Sequence, residues 1–137
     1  TSELGFLRQY SEGVGDDEHR EIRLLGIKVY LELRKTQCAS DLIAEAEKLD
    51  DASLELAFLK ANLFGLEAKY TEARDVLEGI NKSSPGRPEI LIRLIQVCEQ
   101  LRDYAAAVGY LKFACRLIGE SAELKEKRAR YEALGLL

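Results

Sequence analysis

The run Asn62-Leu63-Phe64, followed by Ala68-Lys69-Tyr70-Thr71-Glu72-Ala73-Arg74, Leu77, Ile80 and Pro85, decides the fold. It reads as the end of one helix, a tight corner and a second helix. Shifting the chain by 34 residues carries this stretch onto two others. Ile27, Ala61 and Ile95 align, as do Tyr30, Phe64 and Cys98. Ala39, Ala73 and Ala107 align, then Ile43, Leu77 and Leu111, then Ala46, Ile80 and Ala114. Every residue in these columns is apolar, and one column is alanine throughout. Two antiparallel helices with two tight turns need about 34 residues. Alanine fits where two helix axes cross closely. A pair of this size cannot bury its own apolar faces, so neighbouring pairs must stack.

Helical spacing extends beyond that stretch. Ile22, Leu25, Val29 and Leu33 recur at three- and four-residue steps among charged residues, as do Ile90, Leu94, Cys98 and Leu101. Asp16 and Asp17 suit a helix start, Pro88 a first helical turn, and Asp103 and Ser121 N-caps. Ser83-Ser84-Pro85-Gly86-Arg87-Pro88 predicts a loop. The expected fold class is all-α, a solenoid of antiparallel helix pairs.

On these residues the chain resembles the tetratricopeptide repeat family. Phe64, Tyr70, Ala73, Leu77, Ile80 and Pro85 match the family pattern best. The third unit offers Tyr104, Ala107, Leu111 and Ala114, with Gly119 in place of the proline. The first offers Tyr30, Ala39, Ile43 and Ala46, with Asp51 there. The family's Trp-Leu-Gly opening is missing, since its glycine column holds Ile27, Ala61 and Ile95. The resemblance implies a right-handed superhelix forming one domain over 1–137. Repeats would span 20–53, 54–87 and 88–121, with a flank at 1–15 and a capping helix at 122–137. Within the flank, Leu4, Phe6, Leu7 and Tyr10 suit a short helix.

The 137 residues suffice for a single well-packed core. Lys and Arg total 20 against 24 Asp and Glu, a net charge of -4, which disfavours nucleic acid as a partner. No stretch approaches the roughly 20 apolar residues of a membrane span, and no signal-peptide pattern opens the chain. Cys38, Cys98 and Cys115 are too widely spaced for a zinc site, and His19 is the sole histidine. Unpaired thiols in a packed core suggest a reducing, intracellular and cytoplasmic setting. The start at Thr1 and the lack of Met suggest a processed or excised piece of a longer protein.

Catalytic signatures are absent from the sequence. Gly13-Val14-Gly15 lacks a preceding strand and the third glycine of a nucleotide loop. No G-x-S-x-G elbow accompanies His19. The acidic run Asp16-Asp17-Glu18 is an ordinary complement to a helix dipole. No enzyme activity, cofactor or metal is expected.

The resemblance instead implies a concave groove lined by the first helix of each pair. Its family positions fall on Glu21, Glu55 and Glu89; on Leu24, Phe58 and Ile92; on Lys28, Asn62 and Gln96; and on Leu31, Gly65 and Glu99. An apolar line would run beside an acidic one, with Phe58 as the central anchor. The expected partner is a protein or peptide, apolar or amphipathic and with some basic character. Family members that hold acidic C-terminal tails use a carboxylate clamp of Lys, Asn and Arg. Here the clamp positions hold Leu24, Lys28, Asn62, Ile92 and Gln96, and Asn62 alone matches. Binding of such a tail is therefore not expected. Alternatives are a segment of a larger helical array, packing on its own chain or self-associating through Ala133-Leu134-Gly135-Leu136-Leu137, or a small export chaperone.

Overall fold

The computed structural model describes residues 16–49, 51–119 and 121–137, with side chains from Glu18 onward. The expected flank helix at 2–14 lies outside the described residues. The described residues form seven α-helices and no strand, as the sequence predicts. They are α1 (Asp16–Glu32), α2 (Thr36–Lys48), α3 (Leu54–Leu66), α4 (Tyr70–Ser83), α5 (Pro88–Gln100), α6 (Tyr104–Ile118) and α7 (Ala122–Ala133). The chain divides into two compact units, one ending at Lys69 and the other beginning at Tyr70. That boundary falls inside the expected second repeat, 54–87.

The 34-residue period is written into the backbone. First helices begin at Leu54, Pro88 and Ala122, and second helices at Thr36, Tyr70 and Tyr104. Arg34, Ala68 and Arg102 hold left-handed conformations, with φ of 58°, 58° and 59°. Each ends a helix with the same pair of bonds. Arg34 N donates to Leu31 O at 3.1 Å and Lys35 N to Tyr30 O at 2.9 Å. Ala68 and Lys69 repeat this on Gly65 and Phe64, and Arg102 and Asp103 on Glu99 and Cys98. These paired bonds form a Schellman cap, which satisfies carbonyls left open at a helix end. Gly135 (φ 76°) and Leu136 build the same cap on Glu132 and Tyr131. Thus α7 starts in register with the first helices and ends as they do.

In the first unit, α1 and α2 pack as an antiparallel pair and α3 lies across both. Ile27, Tyr30, Ala39, Ile43 and Ala46 form the core between α1 and α2. Leu56, Leu59 and Leu63 bring α3 onto that core. Ser53 caps α3 by accepting from Leu56 N at 3.2 Å, a cap the sequence reading did not single out. The Ile22/Leu25/Val29/Leu33 spacing does mark a helix, but it does not mark its buried face. That face is Leu24, Ile27, Tyr30 and Leu31, while Leu25, Val29 and Leu33 are exposed. Periodicity cannot choose between two apolar faces of one helix.

In the second unit, α5 and α6 pair, with α4 packed on α5 and α7 on α6. Leu91, Ile95, Cys98, Ala107, Leu111 and Ala114 close the pair, and Leu124 and Tyr131 seat α7 on it. Pro88 opens α5, Asp103 caps α6 through Ala106 N at 3.3 Å, and Ser121 caps α7 through Leu124 N at 3.3 Å. The predicted loop shortens to 84–87, because Ser83 ends α4 and Pro88 begins α5. On α7, Lys125, Arg128, Ala129 and Glu132 stand 34 residues beyond Leu91, Leu94, Ile95 and Cys98 of α5. The α5 set is buried and the α7 set is exposed. α7 therefore keeps the inner face of a first helix and carries mostly charge where the pairing face of α5 is apolar.

Candidate interaction surfaces

The groove positions expected from the sequence divide between the units. On α1, Glu21 and Lys28 are exposed, whereas Leu24 is 4% and Leu31 9% exposed. Leu24 and Leu31 belong to the core that receives α3, so as apolar contacts for a partner they are corrected to interior residues. Leu24 and Leu31 stand three residues before and four after Ile27, on the same face of α1, and join the cluster that holds Leu56, Leu59 and Leu63.

On α3 the expected positions are not fully buried. Glu55 is exposed, and Phe58, Asn62 and Gly65 are half-buried. They lie at three- and four-residue steps, on a face that flanks the leucines anchoring the helix. The Asn62 Oδ1 atom is buried and accepts no hydrogen bond among the described residues. A buried acceptor left this way costs about 1–3 kcal/mol. Glu47 and Lys60 pair at 2.8 Å between α2 and α3 and help fix the orientation of α3.

On α5, Glu89 is exposed and pairs with Arg87 at 3.8 Å. Ile92 is half-buried against the α5–α6 core, and Gln96 accepts from Arg93 at 3.3 Å. Glu99 is already engaged. It pairs with Lys127 at 2.7 Å and accepts from the Tyr131 hydroxyl at 2.7 Å, fastening α7 to α5. The acidic line also has a local role. Glu55 and Glu89 stand in the first turns of α3 and α5, where a carboxylate offsets the helix dipole.

A polar cluster in the second unit went unnoticed in the sequence. Arg74 of α4 reaches Asp103 at 3.2 Å and Glu78 at 3.7 Å, close to the buried thiol of Cys98. Burial, then the nearby Asp103 charge, pushes that thiol up from its ordinary value. Tyr110 is raised chiefly by burial and next by Glu78. A raised thiol is a poor nucleophile, and the cluster reads as a tie between α4 and the α5–α6 corner. No cluster of metal-ligating side chains occurs among the described residues. No helix among them is long and apolar enough to cross a membrane.

No family model and no curated protein matches the chain.

Proposed function

We propose that the chain is a protein-interaction module of the tetratricopeptide type, which holds an apolar or amphipathic polypeptide segment. The observation that carries this reading is the outward face of α3. Phe58 remains half-buried there although its helix is otherwise anchored by Leu56, Leu59 and Leu63. Glu55 and Asn62 flank it with a carboxylate and an unsatisfied acceptor. An aromatic anchor bordered by acceptors suits a segment that offers an apolar side chain beside a cationic or N–H donor group. The 34-residue register of helices and caps supports the family resemblance.

Selection from a random peptide library tests the proposal. Enriched peptides should pair an apolar residue with Lys or Arg and should bind the intact chain measurably by titration. Phe58→Ala should weaken their binding by about 2 kcal/mol, and Glu55→Lys should remove the preference for cations. Peptides that bind Phe58→Ala as well as the native chain would overturn the assignment of this face.

A further inference from the structure

The 34-residue register places Ile22, Leu25 and Val29 of α1 in the same positions as Leu56, Leu59 and Leu63 of α3. A further two units on they correspond to Leu124, Lys127 and Tyr131 of α7. α3 uses this face to pack onto α1 and α2. α7 uses it to pack onto α5 and α6. On α1 the same face stands largely open: Leu25 is 61% and Val29 44% exposed, Ile22 is half-buried, and Leu33, just past the helix end, extends the stripe at 60% exposed. Glu18, Glu21 and Glu32 border it, together with Lys28. α5 buries Ile90 and Val97 there and turns a charged residue, Arg93, outward, whereas on α1 the face is apolar in the middle and acidic at the edge. Isolated exposed leucines need no explanation, but an aligned stripe does.

A surface of complementary character lies in the second unit. α6 and α7 enclose a cleft of about 650 Å³ with Leu111, Cys115 and Leu137 as its apolar lining. Lys112, Arg116 and Arg128 surround it, against Glu132 alone. Arg128 pairs with Glu132 at 3.3 Å, whereas Lys112 and Arg116 form no ion pair among the described residues. Two uncompensated cations thus face the opening of a chain whose net charge is -4.

We propose that the Ile22–Leu33 stripe of one copy seats in the α6–α7 cleft of a second copy. Apolar burial drives the contact. The carboxylates beside the stripe meet Lys112 and Arg116, which sets the polarity and excludes a like-with-like pairing. The two faces differ, so the contact is heterologous, and a pair leaves one stripe and one cleft unused.

Two variants of the intact chain test this, both at exposed positions. Leu25→Lys disables the stripe, and Lys112→Glu with Arg116→Glu disables the cleft. By sedimentation, the native chain should associate with rising concentration, and its association should weaken about tenfold from low to high salt. Each variant alone should sediment as a monomer with native circular dichroism. Mixed in equal amounts, they should form a heterodimer, because each supplies the face the other lacks. Phe58→Ala should associate like the native chain, which separates this contact from peptide binding on α3. A native chain that stays monomeric at millimolar concentration overturns the proposal. So does a mixture that stays monomeric, or either variant associating alone. A lowered urea midpoint of the Leu25→Lys monomer would assign the stripe to contacts within one chain, and would overturn it equally.

Discussion

Ala68 occupies a backbone conformation that L-residues avoid, with φ of 58°. Such a residue carries a cost of about 1 kcal/mol or more that glycine does not. Ala68→Gly should therefore raise stability by up to about 1 kcal/mol, read from urea unfolding midpoints. Tyr131 makes the opposite case. Its hydroxyl donates to Glu99 at 2.7 Å beneath the Lys127 contact, so Tyr131→Phe should cost about 1–2 kcal/mol. Burial first, then the hydrogen bond to Glu99 and its charge, holds the Tyr131 phenol well above its ordinary value. The folded state keeps that proton to higher pH than the unfolded chain does. The stabilisation is complete below about pH 10 and is lost as pH rises from there toward the folded-state value. Urea midpoints measured across the alkaline range should fall less steeply in Tyr131→Phe. Tyr110 and Cys98, also raised by burial, retain their share of the decline. Thiol reactivity should follow exposure. Cys38 and Cys115, half-buried, should react with a thiol reagent in the native chain, and Cys98 only on unfolding.

At the scale of the helix, Ser53 and Ser121 each close a helix start with a side-chain oxygen. Ser53→Ala and Ser121→Ala should each cost about 1 kcal/mol, checked by the same unfolding measurement. The second cap was legible in the sequence because Ser121 follows Gly119 and precedes a charged helical run. The first was not, because Asp50, Asp51 and Ser53 all suit that position. The alanine columns were the most readable feature. Ala39, Ala73 and Ala107 are all buried, as a close helix crossing requires. The face of α1 was the least readable. Both of its apolar stripes have helical spacing, and the choice between them depends on α3, which begins 22 residues after α1 ends. Leu24 and Leu31 followed the family's groove positions into the interior for the same reason. Phe58 differs because α3 is secured by three leucines on a flanking face, so the outward position is free to stay half-open.

For the whole chain, the fold class follows from the sequence because one period governs columns, helix starts and corners alike. The division at Lys69–Tyr70 does not follow from it, since the register passes through that point without a break. Likewise, no single column sets α7 apart: its inner residues continue the pattern, and only the buried-to-charged change at Lys125, Arg128 and Glu132 distinguishes it. The three left-handed corners at Arg34, Ala68 and Arg102 carry one more consequence. Each fixes where a helix must stop, whatever precedes it. A genetic duplication cut at two such corners would insert a complete cassette whose ends splice onto matching bonds. An insertion of any other length would keep these local bonds but throw the apolar columns on either side out of step. Growth of this polypeptide over evolutionary time is therefore quantised, and lengthened or shortened forms should differ by whole cassettes.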